Sequence, residues 1–406
     1  VYSQATLQRH VAVLQAGMGS LPHLICYAIK ANSNHALLQL LQRAGCGFDA
    51  VSGGELLRAL KVGAAPHQII VSGVGKEAWE IAAALRTQVR YLCVESAEEL
   101  RLVSTVAQAL GVRAAVCLRI NPEVDAKTHP YISTGLKENK FGVPMVQAKE
   151  LVSEAMRLPQ VDLVGISCHI GSQITTLAPF VEAAGKVAAF CQARRAEGVP
   201  LTHLGIGGGL GVVYQNETPP DPAAYGAALD PMLAPLGLQI VLEPGRVLVG
   251  NAGVLLTRVV RCKQGADRTF MVVDAGMNDL LRPALYGAQH RLEPVRRHPG
   301  TPRPVEVVGP VCESADTFAR ACLLPPLQPG DALVLRTCGA YGAAMASTYN
   351  SRRRAAEVLC HGEHTQLIRE RDPWTELFRG ERTLDGAPLS DALPEAFLGP
   401  AFSRPC

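Results

Sequence analysis

A lysine at the end of an apolar run, a glycine cluster and an acid followed by Pro-Gly-Arg are the residues of this chain best suited to act together. Lys30 stands in Tyr27-Ala28-Ile29-Lys30-Ala31-Asn32. On its own, such a lysine need only stretch its amine to water. The run Gly205-Ile206-Gly207-Gly208-Gly209-Leu210-Gly211 lets backbone N–H groups approach an oxyanion closely, which suits phosphate, although glycine clusters also make plain tight turns. Glu243-Pro244-Gly245-Arg246 adds an acid and a guanidinium, the second a charge-assisted donor for phosphate or carboxylate. An acid such as Glu243 can keep a pyridine nitrogen protonated, and Lys30 can form a Schiff base with an aldehyde. His169, in His169-Ile170-Gly171-Ser172-Gln173, offers a ring for stacking. No second His or Cys lies at ligand spacing around it, so no metal is expected. The glycine run also departs from a dinucleotide fingerprint, because no acid ends a following strand about 20 residues on. The set fits pyridoxal 5′-phosphate (PLP) better than a metal or a dinucleotide.

These residues fall just past apolar runs. Leu24–Ile29, Phe48–Val51, Gln68–Val71, Arg90–Val94, Ala114–Ile120, Leu163–His169, Leu204–Ile206 and Gln239–Leu242 read as strands, with helical patterns between most of them. Eight β/α units over this length predict an α/β fold, a (β/α)8 TIM-type barrel of the usual size of about 250 residues, in preference to an open doubly wound sheet. Such barrels hold their chemistry at the C-terminal ends of the strands, where the residues above lie. After about Gly250, short β-rich runs at Val254–Val260, Phe270–Asp274, Pro304–Val308 and Ala332–Thr337 alternate with Gly, Pro and Asp turns, which predicts a second, all-β domain. From Glu381 the chain is rich in Pro, Ala and Gly and reads as a flexible tail over 381–406.

Composition narrows the function classes. Hydrophobic residues make up 48% and charged residues 18%, enough for a large core. A net charge of +3 with no basic run longer than Arg352-Arg353-Arg354 gives no footprint for nucleic acid. No apolar stretch reaches the length of about 18 residues that a membrane helix needs. Twelve cysteines occur without a C-x-x-C pair, which suits a reducing cytoplasm and small buried thiols.

The β-rich part carries a second set: Arg282-Pro283-Ala284-Leu285-Tyr286, Gly309-Pro310-Val311-Cys312-Glu313-Ser314 and Gly339-Ala340-Tyr341-Gly342. A cysteine poised near a reacting carbon can donate a proton. With the segments above, and with Phe48–Glu55, Ser72–Lys76, the His-Pro-Tyr-Ile-Ser-Thr-Gly run at 129–135 and Lys140-Phe141-Gly142, these motifs follow a recognisable order. The chain resembles the fold-type III PLP decarboxylases, which share the alanine racemase-like fold, and within them the diaminopimelate decarboxylases.

The resemblance runs from Val1 to about Leu359 and implies roles. Lys30 matches the lysine that bonds the cofactor, His169 the residue stacked on its ring, and Glu243 the partner of its ring nitrogen. Ser172 and Gly207, Gly208 and Gly209 match the phosphate positions, beside the Pro244-Gly245 turn. Arg246, Arg282 and Tyr286 match contacts to substrate carboxylates, with Arg246 also near the phosphate. Cys312 matches the proton donor, Glu313 the contact to the distal amine, and Tyr341 a residue shared by cofactor and substrate. Cys312 and Glu313 would enter from a second subunit, so a homodimer with shared sites is implied. The implied activity is decarboxylation of meso-2,6-diaminopimelate to L-lysine, the last step of lysine biosynthesis. Ornithine, arginine, carboxynorspermidine or a siderophore precursor is the alternative substrate, but Arg282, Tyr286 and Glu313 suit a distal end bearing both a carboxylate and an amine. The domain assignment that follows is a barrel over 21–255 and a β domain from 1–20 and 256–380. Relatives usually carry residues before the position of Val1, so a trimmed N-terminus is expected. Ala315, Cys338, Arg353 and the end after Gly380 depart from the family pattern.

Overall fold

A computed structural model describes residues 1–126 and 140–397, so the motif at 129–135 lies outside the described residues. The chain opens with β1 (Tyr2–Ser3) and α1 (Gln4–Gly17). Then follow β2 (His23–Ala28) and α2 (His35–Arg43), β3 (Gly47–Ala50) and α3 (Gly53–Lys61), β4 (Ile69–Val71) and α4 (Ala78–Thr87), and β5 (Tyr91–Val94) and α5 (Ala97–Leu110). The second half has β6 (Ala114–Asn121), β7 (Val143–Pro144) and α6 (Met145–Arg157), β8 (Val161–Ser167) and α7 (Ala178–Ala196), β9 (His203–Gly207) and α8 (Pro222–Leu233), and β10 (Gln239–Leu242) with the single turn α9 (Arg246–Val249). β2 pairs in parallel with β3 and β10, and β5 pairs in parallel with β4 and β6. The eight strands β2–β6 and β8–β10 therefore close into the barrel that the sequence pattern predicts.

Every residue of β3, β4 and β5 is buried, which is why these strands read as unbroken apolar runs. Cys26, Ile70, Tyr91, Cys117 and Val241 pack together as one cluster of barrel-strand side chains. The helices start where polar caps dictate. Ser52 and Ser96 accept from the backbone N–H groups of Glu55 and Glu99, and Asn34 accepts from Ala36. Among the described residues, no helix is long and apolar enough to cross a membrane.

Beyond the barrel come β11 (Leu255–Gln264), β12 (Thr269–Val273), the turn α10 (Arg282–Tyr286), β13 (Leu292–Pro294), β14 (Arg303–Val308), β15 (Thr317–Leu324) and β16 (Ala332–Leu335). They form a six-stranded sheet in the order β13-β16-β11-β12-β14-β15 over its own core of Val259, Met271, Val273, Val307, Phe318 and Leu333. β17 (Glu357–His361) and β18 (His364–Arg369) join β1 in a separate small sheet. The sequence pattern marks four of these eight strands and leaves out β13, only three residues long, and β15, β17 and β18, where exposed residues such as Arg320, His364, Thr365 and Gln366 dilute the apolar signal. Residues 1–20 contribute β1 to the small sheet and α1 to the outside of the barrel. Leu7, Val11 and Leu14 of α1 belong to the barrel core, and α1 packs on α8 and α2.

One side chain stitches barrel to β domain. Asn32, two residues past Lys30, is buried and donates to the Tyr2 hydroxyl and to the Gly339 carbonyl, each at 3.0 Å. Tyr2 in turn donates to Glu357 at 2.6 Å. Beside this junction the Tyr341 N–H donates to the Ala31 carbonyl at 2.7 Å. Asn32→Ala strips a buried carbonyl and a hydroxyl of their donor. It is expected to lower the unfolding free energy by about 1–3 kcal/mol in denaturant titration. A loss below a few tenths would show that the seam is held elsewhere.

Candidate active site

The C-terminal ends of the barrel strands open on a cavity of about 980 Å³ that also receives Arg282, Tyr286 and Tyr341 from the β domain. Lys30 follows β2 in a single helical turn, Ile29–Ala31, and is exposed to this cavity. Glu243 is the first residue after β10, and His169 is the second after β8. The Ala28 N–H donates to the Pro244 carbonyl at 3.0 Å, so the exits of β2 and β10, and with them Lys30 and Glu243, are tied together. Ser172, Gly209, Gly245 and Arg246 also line the cavity. Gly207, Gly208 and Pro244 lie behind it, in the backbone that supports these groups.

The electrostatics of the three central groups differ. Burial pulls the Lys30 amine down, but Tyr341 and the Asp49 and Glu243 carboxyl groups outweigh it, and its pKa is raised. Burial, reinforced by Asp49, holds the Glu243 carboxyl well above the usual range, which favours its protonated form. Burial and the charges of Arg119 and Lys30 push His169 well below its ordinary value. The Gly208 N–H donates to His169 Nδ1 at 3.2 Å, which suits a neutral ring with its proton on Nε2.

The loop after β9 is close-packed. A Cβ on Gly208 would strike the Glu243 carbonyl, and Gly209, at φ +108°, would strike that of Gly171. Gln173 fastens the same loop, donating to the Val212 carbonyl at 2.7 Å and accepting from the Val212 N–H at 3.1 Å. Arg246 donates to the Ser172 hydroxyl at 3.0 Å and to the Tyr214 hydroxyl. Arg282 donates to His290 Nε2 at 2.9 Å and stacks on the Tyr214 ring at 4.5 Å.

Both guanidiniums are buried, and among the described residues neither meets a carboxylate. The Arg282 Nε has no hydrogen-bond partner among the described residues. Burial lowers the Arg282 pKa, as expected for a cation short of compensation. A cation–π contact is worth about 0.5–2 kcal/mol. Desolvating an ion costs on the order of several kcal/mol. The protein's own contacts fall short, and anionic groups of a ligand would make up the difference. An amine, a protonated carboxyl, a neutral imidazole and a cationic, hydroxyl-bearing pole in one cavity fit PLP, with Arg282 left over for a carboxylate.

Cys312 and Glu313 are not in this cavity. Both are exposed; the Cys312 N–H donates to Asn350 and Glu313 accepts from the Tyr349 hydroxyl at 3.0 Å. Sequence reading noted Asp49 without a role and missed Arg119 and Tyr214, which line the cavity. Arg119 could have been found as the one charged residue in the run Ala114–Asn121. It pairs with Glu95 at 2.9 Å and lies against the Phe141 ring. Nothing in the spacing marks Tyr214, which sits in a loop.

Residues 4–250 match the family model described as pyridoxal-dependent decarboxylase, pyridoxal binding domain. A diaminopimelate decarboxylase of Vibrio cholerae serotype O1 is 48% identical over 95% of this chain and 92% of its own. One from Pseudomonas aeruginosa is 46% identical over 95% and 92%. The crystal structure of diaminopimelate decarboxylase from Helicobacter pylori complexed with L-lysine superposes with a TM-score of 0.90, at 44% identity over 93% of this chain and 95% of that one.

Burial beside Arg282 and Arg246 lowers folded His290 from 6.5 to about 4. The unfolded chain therefore binds the proton first, and this contribution to stability is full above pH 6.5 and lost as the pH falls toward 4. Unfolding free energy is expected to fall between pH 7 and pH 4. His290→Gln should remove up to about 3 kcal/mol of that fall. Chemical denaturation across the range checks this, and an undiminished fall in the variant would count against it.

Proposed function

The chain belongs to the pyridoxal-dependent decarboxylases, in the diaminopimelate decarboxylase family, and from that premise we propose how its residues carry out the reaction. It is a PLP-dependent lyase that decarboxylates meso-2,6-diaminopimelate to L-lysine and CO2. The observation that carries the assignment of parts is the uncompensated Arg282 guanidinium in the same cavity as Lys30.

Lys30 would hold the cofactor by its aldehyde, Glu243 by its ring nitrogen and His169 by its ring face. Ser172, the Gly207–Gly209 backbone and Arg246 would hold its phosphate, with Pro244 and Gly245 setting the turn between Glu243 and Arg246. When bound, PLP supplies the electron sink for the charge left as CO2 departs. Glu243 keeps a proton at the ring nitrogen, which its raised pKa supports. His169, held neutral, covers the ring without adding charge. Tyr341 sits in a left-handed backbone conformation at φ 57°, and its N–H bond to Ala31 keeps it beside Lys30. Arg282, with Tyr286, clasps the distal carboxylate of the substrate, and Arg246 contributes from the phosphate side.

Cys312 delivers a proton from its Sγ to the carbon that lost CO2, and Glu313 accepts from the distal ammonium. Their exposure outside their own chain's cavity supports a homodimer in which each copy completes the other's site. The free thiols of the described cysteines support a cytoplasmic location.

Removing Arg282 would leave a desolvated carboxylate unpaired, at a cost of roughly 2–5 kcal/mol. Arg282→Ala is therefore expected to lower kcat/KM for meso-diaminopimelate by at least about 30-fold. L-lysine and L-ornithine, which lack a second carboxylate, should be poor substrates in CO2-release assays. A wild-type preference for either would overturn the substrate. A second test mixes Lys30→Ala and Cys312→Ala chains, each inactive alone. Activity should return, because one hybrid site then holds both native residues. No recovery, with subunit exchange shown independently, would remove the shared site.

A further inference from the structure

We propose that His290 is a positioning residue for recognition of the distal carboxylate: with Tyr214 it holds the Arg282 guanidinium by uncharged contacts and leaves its charge to the substrate. The inference rests on the reading of Arg282 given above and adds what orients it.

The geometry fixes the direction of each bond. His290 is buried, and its Nδ1 lies 2.8 Å from the Arg336 carbonyl, which can only accept. The ring proton is therefore on Nδ1, and Nε2 presents a lone pair to the Arg282 N–H 2.9 Å away. The Arg336 carbonyl belongs to a residue whose own side chain is fastened to Glu293 at 2.6 and 2.8 Å. The Tyr214 and His290 rings meet edge to face, with centroids 5.1 Å apart, and the Arg282 guanidinium lies 4.5 Å from the Tyr214 ring centroid. One N–H of Arg282 is thus committed to His290, its plane is set by Tyr214, and its Nε has no partner among the described residues.

The choice of an imidazole has a chemical consequence. A carboxylate at this position would orient Arg282 equally well. It would also neutralise the cation and compete with the substrate's carboxylate. A neutral acceptor gives the direction without the competition. Tyr214 serves a second purpose, because Arg246 also bonds its hydroxyl and lies 5.7 Å from its ring. The ring holds the two cations in register, one at the Ser172 side of the cavity and one at Arg282.

The test compares L-lysine with cadaverine, which is the same molecule without the carboxylate, as ligands of the PLP-loaded protein in calorimetry. The wild type is expected to prefer L-lysine. His290→Leu should cut that preference by at least about 10-fold, and its loss with meso-diaminopimelate should fall on KM more than on kcat. His290→Gln, whose amide oxygen can accept from Arg282, should restore most of the preference. His290→Glu should abolish it by pairing with Arg282. A folded His290→Leu protein with the wild-type preference would overturn the proposal. So would equal losses in the Gln and Glu variants, a comparison that decides the matter even where the Leu variant does not fold. If the wild type releases no CO2 from meso-diaminopimelate, the activity itself is wrong. If it does and the preference survives in the variants, only the positioning role fails.

Discussion

Two guanidiniums buried around one tyrosine ring, with no carboxylate to balance them among the described residues, are the constraint on which the cavity depends. Arg246 and Arg282 reach Tyr214 from α9 and α10, that is, from the barrel and from the β domain. Their partners are a hydroxyl of Ser172, a hydroxyl and ring of Tyr214, the ring of Tyr341 and an imidazole. Such contacts orient a cation without cancelling it. The cost of keeping both charges out of water is therefore left open for anionic ligands to offset.

At the other side of the cavity the imbalance runs the opposite way. Asp49 is buried and Glu243 half-buried, and desolvation raises both carboxyl groups. Lys30 and Arg119 oppose that rise, and the amine of Lys30 is held charged in return. The cavity is thus divided into a proton-rich region around Lys30 and Glu243 and a cationic region around Arg246 and Arg282. A molecule with a ring nitrogen and a phosphate matches that division, and Arg282 lines the same cavity. The seam at Asn32 holds the division in place, because Tyr341 arrives from the β domain on a loop that bonds Ala31, one residue past Lys30.

The backbone is tuned around the same region. Gln173 and Tyr341 both adopt left-handed conformations, at φ 59° and 57°. Each is held by explicit bonds: the two to Val212 for Gln173 and the one to Ala31 for Tyr341. Residues other than glycine hold such conformations only where surrounding contacts over-determine them.

The sequence by itself determined the barrel and the chemistry at its mouth. Strands buried on both faces must be apolar runs, and functional groups on such a barrel must follow them. The positions of Lys30, His169, Ser172, Glu243 and Arg246 were therefore legible from order alone. It did not determine which distant side chains would meet. Tyr214 and His290 lie in loops of different domains, carry no periodic signal, and acquire a role only when the two domains pack together. The helix Gln4–Gly17 likewise joins the barrel because its Leu7, Val11 and Leu14 find α8 and α2 there, a choice made by available apolar surface and not by position in the chain. Cys312 is the sharpest case. Its motif stands out in the sequence, yet the fold leaves it exposed and outside the cavity, because local spacing does not say which surface a side chain will face.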